Sequence, residues 1–230
     1  AVAQELPRRL ARIQRAAFCA LFLLLVLLFG GRGEAFAASV TANVPDPSLA
    51  RQMLETSTDR ILSLLKNPNY VNPATRAPLR RQIEDEVYHI FDFREFSART
   101  LGQHWRSFTE AERADFTQAF ACLLFSTYLN HIDGYNGESV RFVSERVSST
   151  HRRVEIATEI TMSDGKILPI SYRMMFKEEA AGAVWVVYDV FVEGISLVNN
   201  YRTQFQEILM KSSPAQLIES VRARASEAGF

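Results

Sequence analysis

The sequence predicts an α+β fold, with an antiparallel four-stranded sheet packed against several helices. Three observations carry that expectation. Apolar residues recur at helical spacing from Leu49 to about Ile132, then at every second position from Val140 to Val192, and the helical spacing returns from Leu197 to Val221. Helices, then a meander, then helices again is the order of a sheet covered on one face.

The first helix starts at Pro47, carries Leu49, Met53, Leu54, Ile61, Leu62 and Leu65, and stops before Pro68. A second runs from Pro78 to Phe91 on Leu79, Ile83, Val87 and Ile90, and a shorter one from Phe93 to Leu101 is interrupted by Gly102. Thr109-Glu110-Ala111-Glu112 reads as a capping box. In it the Thr109 hydroxyl accepts from the N–H of Glu112, and the Glu112 carboxylate reaches back. The long helix it opens carries Phe116, Phe120, Leu123, Leu124, Tyr128 and Ile132, with Phe125 and Leu129 widening the stripe, before the turn residues Asp133 to Gly137.

Alternation begins at Val140 and Phe142 and continues through Val154, Ile156, Thr158, Ile160 and Met162. Asp164-Gly165 signals a two-residue hairpin, expected as a type I′ turn. The return strand carries Leu168, Ile170, Tyr172, Met174 and Phe176 on one face. After a loop at Ala180 to Gly182 the fourth strand, Val184 to Val192, is apolar on both faces, as a central strand is. Strict alternation sets Val186, Tyr188, Val190 and Val192 on one face and Trp185, Val187 and Phe191 on the other. Gly194 ends it, and two helices follow, one over Ser196 to Met210 and one from Pro214.

The amino-terminal segment sets the compartment. Arg8, Arg9, Arg12 and Arg15 precede an unbroken apolar run of 14 residues, Ala16 to Phe29, then Gly30, Gly31, Gly33 and Ala35-Phe36-Ala37. Basic, apolar and A-x-A segments in that order predict a secretory signal peptide over residues 1–37 and a single mature domain over 38–230. The competing reading, a membrane anchor, needs about 20 apolar residues. The expected mature chain has 21 basic and 24 acidic residues, a net charge near −3. That balance argues against a nucleic-acid partner, and it does not favour stable docking on anionic lipid surfaces. Cys122 alone remains, within an apolar helical run, so no intramolecular disulfide is expected and the thiol reads as core.

No Walker loop, G-x-G-x-x-G, G-x-S-x-G or H-E-x-x-H is present. His89, His104, His131 and His151 lie far apart without a second ligand type at metal spacing. No cofactor or metal is expected. Asp189 interrupts the apolar fourth strand and is read as a general base in a sheet-lined pocket, as a structural carboxylate held by hydrogen bonds, or as a side chain pointing to the sheet's outer face. The chain's 16 phenylalanines and wide apolar faces are equally consistent with a solid core.

From Phe91 onward the chain resembles the periplasmic phospholipid-binding family that includes MlaC and the toluene-tolerance lipid carriers. The residues are Phe91-Asp92-Phe93, LGQHWR (Leu101 to Arg106), FTEAERADFTQAF (Phe108 to Phe120), LLFSTY (Leu123 to Tyr128), ILPISYRM (Ile167 to Met174) and VYDVFVEGISLVNNYRTQF (Val187 to Phe205). The resemblance implies a twisted antiparallel four-stranded sheet packed against helices, with an apolar cavity between them for acyl chains. It implies no enzyme activity. It implies a soluble periplasmic phospholipid carrier, shuttling lipid between an outer-membrane lipoprotein–porin complex and the substrate-binding subunit of an inner-membrane ABC transporter, and so maintaining outer-membrane lipid asymmetry. A sibling branch associated with hopanoids is an alternative ligand class, and an enzyme using Asp189 is a further alternative.

On that reading the pocket wall is expected from Val186, Tyr188, Val190 and Val192, with Tyr172, Met174, Ile156 and Ile160 beside them. Helical residues Trp105, Phe116, Phe120, Leu124, Tyr128, Leu197, Tyr201 and Phe205 are expected opposite.

Overall fold

The computed structural model describes residues 45–128, 134–179 and 182–227. The expected signal segment 1–37, the domain start at 38–44, the helix end at Leu129 and Ile132, His131 and the loop residue Ala180 lie outside the described residues.

Two asparagines set the first helix boundaries. Helix α1 spans Ser48–Leu65. The side chain of Asn67 then accepts from Asn69 N at 2.9 Å and opens the one-turn α2, Pro68–Val71. Asn72 repeats the device on Ala74 N at 3.0 Å and opens α3, Pro73–Ile90. Each cap satisfies an orphan N–H, and the proline at the first helical position has none to satisfy. Helix α3 therefore begins five residues before the expected Pro78, which lies inside it.

Asp92 caps α4, Phe93–Leu101, by accepting from Glu95 N at 2.9 Å. Gly102, at φ +57°, ends α4 and starts the 3₁₀ turn Gly102–Ser107. The capping box forms as expected: Thr109 N donates to the Glu112 carboxylate at 2.8 Å and Glu112 N donates to the Thr109 hydroxyl at 3.2 Å. It opens α5, Glu110–Tyr128.

The sheet is antiparallel throughout, in the order β1 (Ser139–Val147), β2 (Arg153–Thr161), β3 (Ile167–Glu179), β4 (Gly182–Val192) and β5 (Ile195–Ser196). It has five strands, not the expected four. Glu193 and Gly194 both have positive φ, +50° and +80°, so they form the two-residue type I′ turn, and β5 folds back to pair Val192 with Ile195. Asp164-Gly165 forms another turn. Only Gly165 has positive φ there, and Met162 O accepts from Gly165 N at 2.8 Å. This is the three-residue hairpin in which a glycine follows a type I turn.

The second departure is a β-bulge. Tyr172 pairs with Val190 and Arg173 with Asp189, but Met174 pairs with Val187 and Phe176 with Trp185, leaving Tyr188 as the extra residue. A bulge reverses the alternation beyond it. Val187 (0% exposed) and Trp185 (2%) therefore join Val190 and Val192 in the core, while Val186 pairs with Met175 on the opposite face. The Trp185 ring meets Phe176 at 5.5 Å and its indole N–H donates to Asp46 O at 3.2 Å.

Helices α6 (Leu197–Leu209) and α7 (Pro214–Glu227) complete the fold. Helices α1, α3, α4 and α6 pack against β4, and α5 packs on α7 and α4. The Phe91-Asp92-Phe93 motif is the hinge pin between layers. Phe91 bridges Val187, Asp92 N donates to Val187 O at 3.0 Å, and the Asp92 carboxylate takes Lys177 Nζ from β3 at 2.5 Å.

Candidate apolar binding site

Two apolar surfaces meet inside the molecule. The sheet contributes Ile156, Ile160, Ile170, Tyr172, Met174 and Val190, each no more than 2% exposed. The helical surface is built around Phe120, because α5 presents it at one helical turn from Phe116 and Leu124. Its ring lies 5.3 Å from Phe205, 4.9 Å from Tyr201, 5.7 Å from Phe116 and 5.8 Å from Phe96. Most of these contacts are edge-on or tilted, as aromatic quadrupoles favour.

All sequence-predicted site residues except Trp105, Val186 and Tyr188 fall into one continuous buried apolar cluster. Trp105 packs on the rim of that cluster from the 3₁₀ turn, with the Arg94 and Arg113 guanidinium groups against its ring at 5.5 and 5.3 Å. Tyr188 sits at the bulge under the guanidinium of Arg99, 4.1 Å from its ring centre. Alternation missed Val187 and Trp185, since no residue type announces a bulge. Phe96, at i, i+3 from Phe93 on α4, was available from helical spacing and is 1% exposed. Leu54, Leu62, Ile83 and Val87, from α1 and α3, belong to the same cluster.

The polar side chains of this apolar region are uncharged: the Thr158 hydroxyl, which donates to Ile170 O at 3.2 Å, and three phenols. Tyr128 and Tyr201 are hydrogen-bonded to each other, and burial pushes both hydroxyls above the ordinary tyrosine pKa. Burial does the same to Tyr172. None of them ionises near neutrality, so the region carries no charge from these groups.

Asp189, between Tyr188 and Val190 on β4, is a buried carboxylate. One oxygen accepts from Val190 N at 2.9 Å and Val198 N at 3.1 Å, and the other from the Ser196 hydroxyl at 2.7 Å. Ser196 in turn caps α6 by accepting from Asn199 N at 3.0 Å. Burial raises the Asp189 pKa, and the hydrogen bonds from Ser196, Val198 and Val190 oppose the rise. The geometry is that of the structural carboxylate, in register with Arg173 on the outer sheet face, and it latches the start of α6 to β4. Among the described residues, no group of His, Cys, Asp and Glu is placed to hold a metal, and no helix is long and apolar enough to cross a membrane.

The family model for MlaC protein matches residues 55–223. The intermembrane phospholipid transport system binding protein MlaC of Haemophilus influenzae is 21% identical over 162 residues, covering 70% of this chain and 72% of that one. The toluene tolerance protein ttg2D of Pseudomonas putida is 24% identical over 107 residues, covering 46% of this chain and 47% of that one. A phospholipid-binding protein of Ralstonia solanacearum, solved in complex with a phospholipid, has the same fold. It superposes with a TM-score of 0.68 at 19% identity, covering 79% of this chain and 99% of that one.

Proposed function

The chain belongs to the MlaC family, and from that premise we propose that it is a periplasmic phospholipid carrier that holds acyl chains between its sheet and its helices. The observation that carries the proposal is the continuous apolar surface shared by β2, β3, β4, α5 and α6, on a fold that in a relative accompanies a bound phospholipid. Moving a two-chain lipid through water exposes roughly 30 methylenes, a gross transfer term of about 24 kcal/mol at ~0.8 kcal/mol each. A carrier removes that barrier by offering equivalent burial while the polar headgroup stays at the mouth.

On this reading residues 1–37 are a signal peptide removed on export, and 38–230 form the carrier domain. The donor and acceptor are an outer-membrane lipoprotein–porin complex and the substrate-binding subunit of an inner-membrane ABC transporter. The carrier needs no chemistry of its own, and the occupied oxygens of Asp189 are consistent with that.

Native mass spectrometry of protein purified from the periplasm tests the proposal, with retained phospholipid the expected result. A retained hopanoid would change the ligand class. The Val190→Trp variant separates a hollow from a filled interior. Val190 is 0% exposed and pairs with Tyr172. In a filled core the added indole overpacks and costs about 1–3 kcal/mol. In a hollow one it enters the space meant for lipid, so stability holds and bound lipid falls. A delipidated wild type that takes up no lipid from vesicles would overturn the proposal.

A further inference from the structure

The sheet face turned away from the apolar cluster carries a row of charges across four strands. Arg146 pairs in register with Glu155, Glu155 with Arg173, and Arg173 with Asp189. With Arg153 beside it, this row sets three arginines against two acids. Asp189 is committed to the latch of α6. Glu155 is shared, accepting from Arg173 Nε at 2.9 Å and from Arg146 at 3.3 Å. Arg153, next to this row at the start of β2, makes no ion pair among the described residues.

These arginines line a cleft. A depression of about 170 Å³ is bounded by Arg146, Arg153, Glu155, Arg173 and Tyr188. A neighbouring one of about 490 Å³ shares Arg153 and adds Arg152, Ser149, Thr150, Met175 and Phe176. The Arg173 guanidinium lies over the Phe191 ring, 4.2 Å from its centre, with its Nε engaged by Glu155. Its two terminal nitrogens are thereby preset, as a planar guanidinium must be to take an oxyanion with two donors. His151 in the β1–β2 loop has φ +56°, a conformation L side chains rarely adopt. The loop is pinned there by His151 N donating to Ser148 O at 2.9 Å and Arg153 N donating to the Ser148 hydroxyl at 3.1 Å.

The geometry points to a binding site for a phosphate ester on this outer face. The phosphate occupies the arginine cleft, and its esterified group lies in the adjoining cleft among serine and threonine hydroxyls, Met175 and Phe176. A carboxylate offers two oxygens on one edge, whereas a phosphate presents oxygens in several directions and matches arginines that approach from three strands. The mature chain is acidic overall, so the attraction is local to this cleft. The three arginines lie outside the apolar cluster, and Phe176 is where the adjoining cleft meets its edge.

The phosphate can belong to a lipid headgroup or to a soluble ester, and the test separates them. Full-length mature protein and the double variant Arg146→Gln/Arg153→Gln are titrated calorimetrically with sn-glycerol 3-phosphate at low and high salt. They are then centrifuged with vesicles of phosphatidylcholine, with or without phosphatidylglycerol. Both residues are exposed and neither belongs to the apolar cluster, so the variant keeps its fold and its co-purified lipid. Wild type binds glycerol phosphate, more weakly at high salt, and the variant loses at least about tenfold in affinity. Vesicle binding that needs phosphatidylglycerol and the two arginines assigns the site to headgroups; glycerol phosphate binding alone assigns it to a soluble ester. Equal affinity in wild type and variant for both probes, or no binding of either by wild type, overturns the inference while leaving the carrier reading untouched.

Discussion

Replacing Asp189 by alanine removes one acceptor from three donors: Val190 N, Val198 N and the Ser196 hydroxyl. Asp189 is 4% exposed, so water does not simply take its place. Each buried donor left without a partner costs about 1–3 kcal/mol. The variant also escapes the cost of burying a carboxylate, which offsets part of the sum. Three orphaned donors outweigh that offset, and the net expectation is a loss of about 3–5 kcal/mol. Asparagine keeps one acceptor oxygen but turns an NH2 group toward a donor, so Asp189→Asn should lose roughly half as much. Urea denaturation followed by circular dichroism measures both. A double-mutant cycle with Ser196→Ala should return a coupling of about 1 kcal/mol or more, since the two side chains share a hydrogen bond. A folded Asp189→Ala protein within about 1 kcal/mol of wild type would refute the latch and return Asp189 to the candidates for a general base.

Phe120→Ala removes the ring that touches Phe96, Phe116, Tyr201 and Phe205, and urea unfolding should report a loss of about 3–5 kcal/mol; a much smaller loss would mean that the helical cluster is loosely packed. The pH dependence of Asp189 has a definite sign. Its pKa is raised above 3.8 by burial, so the folded state holds this proton to higher pH than the unfolded chain. Its contribution is full below 3.8 and is lost as pH rises through the folded value. The stability gap between wild type and Asp189→Asn should therefore narrow from acid toward neutral pH in a series of urea midpoints, and a gap that widens would contradict the burial.

Helices were legible in the sequence wherever a local signal stood beside the period. The capping box at Thr109 and the stop at Gly102 placed their boundaries because both act through neighbouring backbone groups. The start of α3 was misplaced because Pro78 reads as a first-turn proline, whereas Asn72 with Pro73 makes the real one. The fifth strand was hidden because β5 has two residues, too few for any alternation, although Glu193-Gly194 carried the turn. The residues expected at the pocket wall were legible as apolar, and most of them lie in one buried cluster. What the sequence could not supply was the face of the far half of β4, because a bulge is decided by how two strands and the edge contact at Phe91 settle against each other.

That extra residue at Tyr188 has a consequence for comparing relatives. At 19–24% identity, strands are matched mostly by their pattern of greasy and polar positions. Matched to a strand without the bulge and with no gap at Tyr188, Trp185 would take the place of Val186 and Val187 that of its neighbour, turning inside-facing positions into outside-facing ones over the whole upstream half of the strand. A substitution table built on such a match would judge Val187 by the outer sheet face and Val186 by the apolar cluster, the reverse of where each is buried.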